Sequence, residues 1–152
     1  MNNRMSVFVV VGALGLAGAM ALPMPLAHAT IQPETKLSLH DEMEGMKDAL
    51  RTIGRNHNDE SKRADVLAAI TSLQEHTLAS KALTPDKVEK MPEADQEAAI
   101  VDYRVRMAMV LGLTTELEVA YLDGEHDKVD DIIRNKLFDI RDAGHAEFQE
   151  DH

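Results

Sequence analysis

Cysteine is absent from this 152-residue chain, so no disulfide braces it and packing alone has to hold it together. Tryptophan is also absent, and two Tyr and three Phe bring the aromatic share to only 3%. A core built without aromatics relies on aliphatic side chains and Met, which suits helices better than sheets. Basic residues are scarce too: 16 Lys and Arg face 27 Asp and Glu, for a net charge of −11. Such an acidic chain repels nucleic acid and anionic lipid, and neither is expected as a partner.

The longest apolar run, Val7 to Leu26, lies at the N-terminus behind Arg4. Pro23 and Pro25 interrupt its end, and Ala27-His28-Ala29 has the small-x-small form of a cleavage site. Residues 1–29 therefore read as a cleaved secretory signal. The run is almost long enough to span a membrane, but the prolines and the cleavage tripeptide argue against a retained anchor. Removing 29 of 152 residues leaves a single domain of 123, residues 30–152, with no stable membrane association expected. Arg4 is the only charged residue lost, so the net charge of −11 becomes −12.

The remainder carries a helical period throughout. Ser38 and Asp41 form an S-x-x-D variant of the capping box, and Leu39, Met43, Met46, Leu50 and Ile53 make the apolar stripe of a first helix. Gly54, Asn56 and Asn58 end it. A second helix from about Glu60 to Lys81 presents Val66, Leu67, Ile70, Leu73 and Leu78. Residues 82–94, with Pro85 and Pro92, form the longest connection. A third helix starts between Pro92 and Asp95 and runs to about Leu122, lined by Ile100, Tyr103, Met107, Leu111, Thr114, Leu117 and Tyr121. Gly124 is placed to cap it. Asp127 is the expected cap of a fourth helix, with Ile133, Leu137, Ile140, Gly144 and Phe148 as its stripe. The expected fold is all-α, an antiparallel up-down-up-down four-helix bundle.

In that topology the start of the first helix and the end of the fourth share one end of the bundle and are neighbours. Met43 lies about five residues inside its helix, ~7.5 Å at 1.5 Å per residue, and His145 lies a similar distance inside the other. A facing thioether and imidazole are an axial pair of low-spin haem iron, and without cysteine the C-x-x-C-H attachment of a covalent haem is excluded. Each residue also has a plainer reading. A Met on an apolar stripe is more often core filler, and a His near a helix C-terminus often only meets the helix dipole. Of the other histidines, His28 leaves with the signal, His57 and His126 fall in or beside loops, and His152 is terminal. His40 precedes Met43 by three residues and is expected in solvent, while His76 is a minor alternative ligand.

Three stretches carry a family resemblance. They are Leu39-His40-Asp41-Glu42-Met43-Glu44 with Met46, Asp48, Leu50 and Ile53; Thr84-Pro85-Asp86-Lys87-Val88-Glu89-Lys90-Met91-Pro92; and Ile140-Arg141-Asp142-Ala143-Gly144-His145-Ala146-Glu147-Phe148. In order, spacing and length the chain from about 37 to 149 resembles the soluble cytochrome b-562 family. The resemblance implies one non-covalent haem b with Met43 and His145 as axial ligands. It also implies a periplasmic electron carrier, not an enzyme, that serves a redox partner protein still to be identified. Tyr103 matches an aromatic position that packs on the porphyrin, though a core role explains it as well. Arg141, one turn before His145, is a propionate partner or an ordinary surface charge. Arg104 matches a family arginine of uncertain role.

The chain departs from that pattern in three places. Met107 stands where the family more often has an aromatic. The tail is acidic (Glu147, Glu150, Asp151) where relatives tend to be basic. One extra residue falls between Gly124 and His145 and is expected near His126, because a slip at His145 itself would turn it about 100° around the helix. Two other classes stand beside the haem reading. The first is a haem-free bundle of the same family acting as a binding or envelope-stress protein. The second is a metal site. A di-iron bundle needs two Glu-x-x-His motifs, whereas only Asp142-x-x-His145 and Asp123-x-x-His126 occur, leaving a weak copper or zinc site at His40, Met43 and His145. No nucleophile–base arrangement supports a hydrolase.

Overall fold

The structure is a computed structural model that describes residues 38–149; the expected signal at residues 1–29, His28 within it, and the tail from Glu150 to His152 lie outside the described residues. The first helix, α1, spans Leu39–Asn56. It opens with the expected capping box: Ser38 Oγ accepts from the Asp41 N–H at 3.2 Å, and the Asp41 carboxylate accepts from the Ser38 N–H at 3.1 Å. A 3-10 turn, Glu60–Lys62, leads into α2 at Arg63–Lys81. The long connection contains a single helical turn, α3 (Asp86–Glu89), which buries Val88 beside Pro85. The third long helix, α4, spans Glu93–Leu122 and stops at Gly124, whose φ of +75° is the left-handed conformation that glycine adopts without strain.

The closing helix is one continuous rod made of α5 (His126–Asp131), a π-helical segment (Ile132–Leu137) and α6 (Phe138–Phe148). It departs from expectation twice. It begins at His126 with Glu125 ahead of it and no side-chain cap, so Asp127 sits in the first turn, where its charge still complements the helix dipole. A π segment also interrupts the α-helix. One π turn takes up a residue more than an α turn. The protein is thus all-helical, with four long helices, and no strand occurs among the described residues.

The helices pack in sequence, α1 on α2, α2 on α4 and α4 on the closing helix. Ile53, Val66, Ile70, Leu73, Leu117, Val129 and Ile132 are fully buried in one aliphatic cluster. Each such side chain contributes about 1.5–3 kcal/mol over exposure. Val88, Tyr103 and Met107 are buried apart from that cluster. On α1 the fully covered residues are Glu42, Ala49 and Ile53, whereas Leu39, Met43, Met46 and Leu50 are only half-buried. The expected stripe is therefore turned partly out of the core. The physical reason is that α2 is the main neighbour of α1, so the side facing α2 is covered best.

Candidate functional site

Glycine in mid-helix costs about 1 kcal/mol relative to alanine, so Gly45 needs a reason. The His76 ring of α2 supplies it: a Cβ at Gly45 would meet His76 Nε2 at 2.4 Å. The same ring donates from Nδ1 to Glu42 Oε2 at 2.7 Å, and the Glu42 side chain is only 8% exposed. Sequence reasoning makes His76 a spare ligand and misses Glu42. The available signal is an interior glycine with no turn to make. One turn further along, Ser80 Oγ lies 3.8 Å from Met46 Sδ, again joining α2 to α1.

From Ser80 the contacts pass to α4 and then α6. The Tyr103 hydroxyl donates to the Ser80 carbonyl at 2.9 Å, and burial pushes its phenol well above the ordinary value. Its ring meets Phe148 edge-on, with centroids 5.5 Å apart. Arg106 lies over Phe148 at 5.8 Å and pairs with Glu147 at 2.6 Å and Asp102 at 2.9 Å. The Asp102 hydrogen bond is the main cause raising its pKa. The end of α6 is thereby tied to the first half of α4.

The opposite end has its own network. His57, expected in a loop, is buried at the end of α1, where Nδ1–H donates to the Ile53 carbonyl at 3.2 Å. Its Nε2 lies 3.0 Å from the Asn58 side-chain nitrogen and 3.5 Å from the Asp130 carboxylate of α5. A hydrogen bond from Arg134, together with His57, holds Asp130 below the usual carboxylate range. Arg63 stacks over Tyr121 at 5.5 Å.

The residues singled out from the sequence have unequal surroundings. Met43 is half-buried on α1, and Met107 is buried on α4. His145 is exposed near the end of α6, and its ring makes no hydrogen bond or ion pair among the described residues. Arg141 is exposed, paired with Asp142 at 2.6 Å and stacked over Phe138 at 4.5 Å. Arg104 is exposed on α4. Tyr103 is brought to Phe148, one turn beyond His145; Arg141 is not brought to Tyr103. No hydrogen bond, ion pair or ring contact joins α1 to α6 among the described residues, although His57 and Asp130 join α1 to α5.

Two open surface hollows lie elsewhere. One is bordered by Met109, Leu113, Lys136 and Ile140, the other by the loop from Gly124 to Lys128. Among the described residues no group of three His, Asp or Glu side chains is arranged to hold a metal ion, and no helix is long and apolar enough to cross a membrane. Compared with known proteins, the chain matches no family model, no curated protein and no solved structure.

Proposed function

We propose that this chain is an exported, periplasmic electron-transfer protein that holds one haem b between the start of α1 and the end of α6 in an up-down-up-down bundle. One observation carries the reading: a chain of contacts, Met46–Ser80–Tyr103–Phe148, runs from α1 through α2 and α4 to α6. Met43 is one turn before Met46, and His145 is one turn before Phe148. The contacts of His57 with Asp130 and of Arg63 with Tyr121, at the other ends of the same helices, support antiparallel neighbours.

The donor set suits the group. Met43 offers a soft thioether from a half-covered apolar flank that also includes Leu39, Met46 and Leu50. His145 offers an imidazole not engaged by any carboxylate. Tyr103, Phe148 and Met107 supply apolar surface, and the Tyr103 hydroxyl turns away to Ser80. A haem held by Met43 and His145 would supply reversible one-electron transfer. The residues' part is to hold the two ligands on rigid helices and to exclude water from the ring. Arg141 is available to a propionate, because an exposed pair with Asp142 is worth at most about 1 kcal/mol.

Hemin titration tests the reading. Wild-type protein is expected to bind one hemin with sharp low-spin bands, and Met43→Ala or His145→Ala to convert them to high-spin. A wild type that does not retain hemin ends this reading. The exposure of His145 favours a second one, a haem-free bundle used in binding or envelope stress. Hemin would then leave thermal stability unchanged, whereas a ligand at 100 times its Kd adds about 2.7 kcal/mol.

A further inference from the structure

α4 is apolar on two faces, and only one of them is covered. Tyr103, Val110 and Leu117 point inward and are buried. On the outer face, positions from residue 98 to residue 122 recur at alternating spacings of three and four, every one exposed and none charged. Val101 (57% exposed), Val105, Val119 and Leu122 stand toward the two ends, with Ala108 and Gly112 between them. This is the a/d spacing of a coiled-coil seam sustained over more than three heptads. A solvated helix face would carry Lys, Glu or Arg at these positions.

We propose that this face is the seam of a homodimer in which α4 of one copy lies antiparallel to α4 of a second copy. The stripe is close to symmetric about residue 110, so reversing it places Val101 against Val119 and Ala108 against Gly112. Large residues then meet toward the ends, and the two small ones let the backbones approach at the centre. The flanking charges fit the same pairing. Arg104 makes no ion pair within the described chain, and Glu118 accepts only from Gln74, a neutral partner. In the antiparallel register they fall on one side of the seam, about two residues (~3 Å) apart along the axis. Elsewhere a net charge of −11 opposes self-association, so an uncharged face is where two copies can meet. The seam is ~36 Å long and about 10 Å wide, or ~360 Å² per partner, well below the ~800 Å² of a standard interface. The dimer is therefore expected to dissociate in the micromolar range. It forms on the side of α4 opposite Tyr103, so it does not depend on haem.

Sedimentation equilibrium from about 1 to 500 µM tests the proposal. The mass is expected to rise toward twice the chain mass, and Val105→Glu, on an exposed position, to raise the dissociation constant at least tenfold with an unchanged helical spectrum. Arg104→Glu should weaken the dimer likewise, and adding Glu118→Arg should restore it. Because the chain has no cysteine, register is read directly: Val101→Cys mixed with Val119→Cys should form a mixed disulfide, while neither links to itself. Two copies of residue 101 would sit ~27 Å apart, against a Cα limit of about 7 Å for a disulfide. A mass that stays monomeric across the range overturns the proposal, and so does self-linking of Val101→Cys, which requires a parallel pair.

Discussion

Gly45→Ala sets two rules against each other. Helix propensity alone says the change stabilises α1 by about 1 kcal/mol, because glycine in a helix interior is that much worse than alanine. The packing says otherwise. The new methyl would stand 2.4 to 2.6 Å from three atoms of the His76 ring, closer than any carbon contact tolerates. The ring must yield, and yielding breaks its 2.7 Å bond to Glu42, a carboxylate whose side chain is only 8% exposed. Losing a hydrogen bond to a buried charge costs about 1.5–3 kcal/mol, and the strain of moving the ring adds to it. Set against the propensity gain, the net is a destabilisation of roughly 1–2 kcal/mol, or about 4–8 °C in Tm for a domain of this size. Urea denaturation followed by circular dichroism measures it. The same substitution in a His76→Ala background should reverse sign and stabilise by up to about 1 kcal/mol, since the obstruction is gone. If Gly45→Ala stabilises the protein with His76 in place, the ring is not held where the structure has it.

The other predictions concern stability and the proposed site. Tyr103→Phe removes the bond to the Ser80 carbonyl, but that oxygen also accepts from the Leu83 N–H at 3.0 Å, so the loss should be limited to about 0.5–1.5 kcal/mol by urea titration. Asp130 has a lowered pKa in the folded state, so its contribution is present above the unfolded value near 3.8 and is lost as pH falls through the lower folded value. Asp130→Asn should therefore be less stable than wild type at pH 7, and the difference should shrink steadily below about pH 4. Deleting exposed Asn135 lets the π segment close into α-helix without rotating α6, so any hemin spectrum should survive. Deleting Ala143 turns His145 by about 100° and should abolish it. Equal spectra from the two deletions would remove His145 from the ligand set.

Much of the architecture was legible in local residues. Ser38 and Asp41 announced the start of α1, Gly124 the end of α4, and the 3.6-residue period the four long helices, because caps and periodicity depend on neighbours along the chain. Pairing across helices was not legible. Nothing local marks Glu42 for burial, His57 reads as a loop residue and Asp127 as a cap, and only packing decides otherwise. The π segment was equally hidden, since no residue type specifies one; Ile132, Ile133 and Leu137 are buried within it and Val129 just ahead of it. For the candidate site, the sequence by itself determined which chemistry is present: a thioether near one terminus, an imidazole near the other, and no cysteine to attach a cofactor. The tertiary structure decided the surroundings, tying the two helix ends through Ser80 and Tyr103 while leaving Met43 half-covered and His145 in solvent. The reason is that donor identity is a property of each residue, whereas burial depends on which neighbours the fold brings.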